Sequence, residues 1–249
     1  MDWQDILAQL EAGTLRAANQ DEAGNWHANV EVKQGILAAF KAGENISFGD
    51  NYLGFVDKHN LPARQFTPED GVRLVPGGSS VRAGAHVAKG VIIMPPAYIN
   101  VGAFVDSGTM VDSHALIGSC AQVGKNVHVS AAVQIGGVLE PVGASPVIIE
   151  DGAFLSAGVV IVEGIVVKKG AVLAPGVSLS KSVPVYDCVN EVMREKGAEI
   201  PERAIVVAGT RPVKGEWAKE QGLNMACALI VKYRDEQSDA ALELESILR

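Results

Sequence analysis

Asp112 and Glu163 are two of six carboxylates in a stretch where charge is scarce. Residues 81–185 hold 12 of the 50 charged side chains in a chain of 249, and Asp112 and Glu163 are among those 12. Such a carboxylate can take or hand over a proton in general acid–base chemistry. It can equally cap its own turn, as an aspartate often does, or sit solvated at a corner. Arg73, in GVRLVP, offers a guanidinium fork that could grip a carboxylate bidentately, or a solvated surface charge. His86, His114 and His128 bring imidazoles suited to base or metal chemistry. Cys120 brings a thiol that can serve as a nucleophile or as a buried small apolar side chain.

These side chains need a scaffold, and the aliphatic residues define one. Of 33 valines, 22 fall in residues 81–185. Every sixth residue from Val81 is a β-branched aliphatic: Val81, Val87, Ile93, Ile99, Val105, Val111, Ile117, Val123, Val129 and Ile135. A second series runs Ile149, Leu155, Ile161, Val167, Leu173, Leu179 and Val185, displaced by two residues from the first. A period of six fits neither a helix at 3.6 nor a continuous strand at 2. It fits a short strand plus a corner, with the same side chain pointing inward on each flat face. Gly84, Gly90, Gly102 and Gly108 fall at the corners, where positive φ is cheap for glycine. Three faces of six residues give a triangular coil of roughly 18 residues, stacked by hydrogen bonds from coil to coil. The histidine spacings, 28 and 14 residues, are not multiples of that coil, so a stacked three-histidine metal site is not expected. The series breaks at residues 136–148, GGVLEPVGASPVI, read as a loop that covers a site.

The flanks follow other rules. Trp3, Ile6, Leu7 and Leu10 predict a helix ending at Gly13, and Val32, Ile36, Leu37 and Phe40 a second from Val30 to Lys41. Residues 42–80 are polar and broken. Beyond residue 185 the sequence predicts a helical insert from Cys188 to Gly197, short strands over Ala204–Ala208 and Ala226–Tyr233, and a C-terminal helix ending LELESILR. The expected organisation is therefore a helical N-terminal domain over 1–80, the repeat domain over 81–185 with its loop, and an α+β extension over 186–249.

Composition narrows the function classes. With 21 basic against 29 acidic residues, net charge −8, and no concentrated basic run, nucleic acid is not an expected partner. No apolar run reaches the roughly 18 residues of a membrane helix. The start, MDWQDILAQLEAG, lacks the basic and apolar regions of a secretory signal. Three separated cysteines point to reduced thiols and a cytoplasmic setting. Small-molecule and protein partners remain.

The segments MPPAYINVGAFVDSGTMVDSHALIGSCAQVGKNVHVS and IGGVLEPVGASPVIIEDGAFLSAGVVIVEG resemble the tetrahydrodipicolinate N-succinyltransferases, hexapeptide-repeat acyltransferases. The likeness extends to GVRLVP, to LEAGTLRAA and GNWHAN near the start, and to ACALIVKY near the end. The GTMVD…GSCAQ…GKNVH run is far more specific than generic repeats. The resemblance implies a mainly β fold, a left-handed parallel β-helix. It also implies a homotrimer with active sites in grooves between neighbouring β-helices. The implied reaction moves a succinyl group from succinyl-CoA, a co-substrate, to the amine of ring-opened tetrahydrodipicolinate in diaminopimelate and lysine biosynthesis. No permanently bound cofactor or metal is implied. Asp112 matches the family's acceptor-binding aspartate and is expected to orient the amine and accept its proton. Arg73 matches the substrate arginine, and Glu163 is a second candidate acid or base. Ser156, Ala157, Lys181, Arg211 and Lys214 are the expected contacts to CoA. His128, in the matched KNVH run, reads as structural or at the groove edge.

Three positions depart from the family pattern. His114 replaces a usual Trp, Gly158 an arginine common at that position, and Val160 a glutamate found in some members. Loss of a cation near the acyl group keeps an acetyl-CoA-dependent N-acetyltransferase open as an alternative. A non-catalytic β-helix scaffold, or a carbonic-anhydrase-like shell, is a third class.

Overall fold

A computed structural model describes residues 1–49 and 54–235. The six-residue period appears there as two-residue strands joined by four-residue corners. Successive strands visit three faces in turn, and on each face they stack in parallel. The first face runs from His86–Val87 to Val166–Val167, the second from Arg73–Leu74 to Val172–Leu173, and the third from Ser80–Val81 to Ser178–Leu179. The register is strict. Ile93 pairs with Val111, 18 residues on, and Val111 with Val129 after another 18. Across the interruption Val129 pairs with Leu155, a step of 26, so the insertion adds eight residues and the ladder resumes undisturbed.

β-Branched side chains suit these half-turned strands because their restricted χ1 costs little there. One residue per strand points inward and is essentially inaccessible, as for Ile93, Val111, Val129 and Leu155. Each such burial stabilises by about 1.5–3 kcal/mol, which outweighs the strain at corners. That strain is real: His114, Cys120, Asn126, Ala132 and Glu163 all hold left-handed φ between 53° and 67°, at order 1–3 kcal/mol each. The ladder also takes in Arg73–Leu74, ahead of the first hexad, and Ala204–Pro212 beyond the last.

Helix α1 spans Trp3–Ala12, with Asp2 as N-cap and Gly13 left-handed at its end; α2 spans Val30–Ala42 behind the N-cap Asn29. Their apolar faces (Ile6, Leu7, Leu10, Val32, Ile36) bury against Val101 and Cys120 at the corner between the third and first faces. Both helices stand where the apolar spacing places them. Leu37 and Phe40 are only half-buried, whereas Lys33 is fully buried. The broken stretch after α2 contains two antiparallel paired strands, Asn45–Phe48 and Phe55–Lys58.

The region after residue 185 differs from expectation. Cys188–Gly197 is not helical: it is a turn followed by the strand Val192–Met193, antiparallel to Tyr186–Asp187. The cause is local. The Asp187 carboxylate accepts from the backbone N–H groups of Val189 and Asn190, an Asx-type arrangement that competes with helix hydrogen bonding. The two apolar strands are longer than expected, Ala204–Pro212 and Asn224–Tyr233, and form an antiparallel hairpin carrying α3 (Glu216–Glu220) near its tip. The expected C-terminal helix ending LELESILR lies outside the described residues.

Candidate active site

Asp112 follows Val111 at the corner between the second and third faces and is half-buried. Its Oδ1 accepts from the backbone N–H of Ser113 at 2.7 Å. One oxygen is therefore occupied by its own turn, and the second has no donor among the described residues. Arg73 is exposed on the second face, level with Ile92, which in turn pairs with Met110. Arg73 and Asp112 thus share one face, two coils apart, about 10 Å along the stacking direction at ~4.8 Å per strand. A guanidinium and a carboxylate at that separation can hold a carboxylate and an amine of one small molecule without pairing with each other.

Ser156 and Ala157 occupy the same corner as Asp112, two coils further on, through the ladder Met110, His128, Phe154. Gly158, in this row, is left-handed at φ 70°, with open space where a Cβ would stand. The strand Ala204–Pro212 pairs with Val172–Leu173 and runs straight on where the coil beneath it turns at Ala174. It carries Arg211 past this corner, with Lys214 exposed in the loop beyond. Arg211 lies within the strand rather than between strands as expected. Its Nε is buried without a hydrogen-bond partner.

Glu163 and Lys181 lie elsewhere. Both sit at the opposite edge of the third face, exposed, with the Lys181 backbone N–H donating to Glu163 Oε2 at 2.8 Å. They border a cavity of about 520 Å³ lined also by Gly136, Val138, Pro141 and Val162. The loop does cover a space, on Glu163's side of the prism. Within one chain the structure gathers Arg73, Asp112, Ser156 and Ala157 on one side, and Glu163 with Lys181 on the other.

His128 is half-buried on the second face, its ring 4.6 Å from that of Phe154. His114 is exposed at the Asp112 corner. Cys120 is wholly buried, and burial pushes its thiol up to about 12, against a smaller opposing pull from Lys33. A thiol so protonated is no nucleophile. Among the described residues no group of three or more His, Cys, Asp or Glu is placed to hold a metal ion, and no helix is long and apolar enough to cross a membrane.

Sequence reasoning missed Lys33, whose Nζ donates to the carbonyl of Ala144 and so ties α2 to the loop. It also passed over Arg16, Gln122 and Glu150, which meet on the first face. Glu150 was detectable as another charge in the charge-poor stretch.

These features describe a class: a three-sided coil of six-residue repeats with a carboxylate-bearing corner and a helical N-terminal cover. Residues 3–42 match the family model described as "Tetrahydrodipicolinate N-succinyltransferase N-terminal". The chain is 40% identical over 90 residues to 2,3,4,5-tetrahydropyridine-2,6-dicarboxylate N-succinyltransferase of Leptothrix cholodnii, covering 34% of this chain and 32% of that protein. It is 41% identical over 89 residues, 34% and 32% of the respective chains, to the protein of the same name from Azoarcus sp.. The match thus spans about a third of the length of these relatives. The crystal structure of a putative 2,3,4,5-tetrahydropyridine-2-carboxylate N-succinyltransferase from Campylobacter jejuni resembles 92% of this chain and 63% of its own, with TM-score 0.64 and 19% identity. That likeness establishes the fold.

Proposed function

We propose that the protein is a CoA-dependent N-acyltransferase that moves a succinyl group from succinyl-CoA to the amine of ring-opened tetrahydrodipicolinate. The observation that carries this reading is Asp112, with one free carboxylate oxygen, on the same face as the exposed Arg73. The names of the relatives similar over a third of the chain point the same way.

In this reading Arg73 binds an acceptor carboxylate and Asp112 orients the neutral amine. The amine nitrogen attacks the thioester carbonyl, a C–N bond forms, and the C–S bond breaks to release CoA. The proton lost by nitrogen passes to Asp112, acting as general base. Ser156 and Ala157 line the path of the CoA arm, and Arg211 and Lys214 meet its anionic groups. Glu163 and Lys181, across the third face, reach the reacting atoms only from a neighbouring copy, which favours a homotrimer with the site in the groove between copies. A left-handed coil, the division at residues 80 and 185, and a cytoplasmic location belong to the same reading. The resident chemistry needs no metal or permanent cofactor, because the thioester is already activated.

A second reading changes only the donor, to acetyl-CoA. It is favoured by Gly158, which leaves open space where a cation would hold a succinyl carboxylate. A thiol-release assay with tetrahydrodipicolinate and each donor tests both. Higher kcat/KM for succinyl-CoA supports the first reading, and higher kcat/KM for acetyl-CoA the second. No CoA release above the acceptor-free control from folded protein overturns both.

A further inference from the structure

A second polar cavity lies on the first face, away from both edges of the third. It encloses about 260 Å³, well above the ~30 Å³ share of one water and below the ~300 Å³ at which drug-sized pockets begin. Arg16 reaches into it from the segment after α1. Its guanidinium lies 3.9 Å from the Phe104 ring centre and 5.3 Å from that of Trp26. Nε donates to Gln122 Oε1 at 2.9 Å. Gln122 is held in turn, wholly buried, by donating to the carbonyls of Gly102, Cys120 and Ala121. Trp26 is fixed through Nε1 to Glu150 Oε1 at 3.0 Å, and Glu150 also pairs with Lys168.

The guanidinium thus lies against two aromatic rings and is held at Nε, yet no described residue accepts from its two terminal nitrogens. Asp106 and Asp151 line the same cavity. Both pull on Arg16 electrostatically, but neither comes within ion-pair distance of it, and burial outweighs them in lowering its pKa. Asp106 uses one oxygen to accept from Ser107 N, and Asp151 uses one to accept from Lys125 N. The second oxygen of each has no donor among the described residues. Lys125, Lys169 and Glu150 complete the charged lining, three cations with three carboxylates. A cationic fork and two half-free carboxylates in one cavity match a molecule carrying both charges a few ångströms apart.

We propose that this cavity binds a small α-amino acid as its zwitterion, with the carboxylate on the Arg16 fork and the ammonium between Asp106 and Asp151. Fork-to-carboxylate contact is bidentate and charge-assisted, and the rings of Phe104 and Trp26 pack against the guanidinium. The site is independent of the acyl-transfer reading, since it shares no residue with the Asp112 corner.

Titration calorimetry on the full chain tests it with L-alanine, with propionate, which lacks the amine, and with L-alaninamide, which lacks the carboxylate. L-Alanine is expected to bind saturably, and each analogue at least tenfold more weakly. Arg16→Gln should weaken L-alanine at least tenfold, and Asp106→Asn should reduce it to the level of propionate. If Arg16→Gln fails to fold, Asp106→Asn and Asp151→Asn carry the test, because neither packs in the core. Asp112→Asn should leave the binding unchanged. Absence of saturable binding, equal binding of propionate, indifference to the Asp106 and Asp151 changes, or loss of binding in Asp112→Asn would each overturn the inference.

Discussion

Asp112 and Glu163 stand on opposite edges of one flat face, two coils apart. The chain passes from Asp112 into Leu116–Ile117, which stacks through Gln134–Ile135 onto Val160–Ile161, and Glu163 follows at the far corner. No side-chain rotation can bring the two carboxylates of one chain to a common atom across an intact strand row. The candidate residues therefore separate by corner: Asp112, Ser156 and Ala157 at one edge, and Glu163, Lys181, the loop and its cavity at the other.

Asp112→Asn should lower the acyl-transfer rate by roughly two or more orders of magnitude if the carboxylate is the base. Circular dichroism should show the fold retained, because the backbone contact to Ser113 survives with an amide oxygen. An unchanged rate would reduce Asp112 to a turn residue.

The separation of Asp112 and Glu163 also predicts complementation. Asp112→Asn and Glu163→Gln proteins, each of low activity, should regain part of the rate when unfolded together and refolded as a mixture. A groove between copies then holds one intact pair. No regain, with mixed oligomers demonstrated, places both roles within one chain or removes Glu163 from the reaction.

Lys33→Ala should loosen the 136–148 loop. The change removes the Nζ donor to Ala144 and leaves both a cavity and an unsatisfied carbonyl, a loss of about 2–4 kcal/mol. Hydrogen exchange should accelerate in the loop more than in the coils on either side. Uniform acceleration would mean that Lys33 supports the fold as a whole and not the loop.

Thiol reactivity should divide the cysteines. Cys188 is exposed, while Cys120 and Cys227 are buried. Burial raises both buried thiols, Cys120 to about 12. A chromogenic disulfide reagent at neutral pH should titrate one thiol in the native protein and three after denaturation. Rapid reaction of two or three native thiols would contradict the packing around α2 or the hairpin.

Tyr233 and Asp187 tie the terminal hairpin to the strand beneath it, the phenol donating to Asp187 Oδ2 at 2.6 Å. Burial pushes the Asp187 carboxyl up, but bonds from Tyr233, Asn190 and Val189 prevail and its pKa is lowered. Its stabilisation is therefore present above the ordinary aspartate value near ~3.9 and lost as pH falls through the lower native value. The Tyr233 phenol is raised, by burial first and Asp187 second. Its contribution is present below about pH 10 and lost as pH rises through the native value. Tyr233→Phe should lower Tm at neutral pH and move acid unfolding to higher pH, read by thermal melts from pH 3 to 8. Coincident acid midpoints would remove Tyr233 from the linkage.

Much of this molecule was legible in residue order alone. An aliphatic at every sixth position from Val81 to Ile135 admits one local solution, a strand and a corner, because only that geometry returns each such side chain to the interior. The two-residue displacement after Ile135 revealed the insertion, and the spacing of Ile6, Leu7 and Leu10 placed α1. These are local patterns, and local sterics and burial decide them. Tertiary structure alone decided which corner each residue occupies. Asp112 and Ser156 are 44 residues apart yet share an edge, while Glu163, seven residues from Ser156, faces another way. It also decided that Cys188–Gly197 turns instead of coiling into a helix, since the Asp187 carboxylate takes the amides a helix needs. Arg16, Gln122 and Glu150 meet because the segment after α1 folds back over the first face. Such proximity depends on how the coils stack and what packs against them, and no spacing within the chain records it.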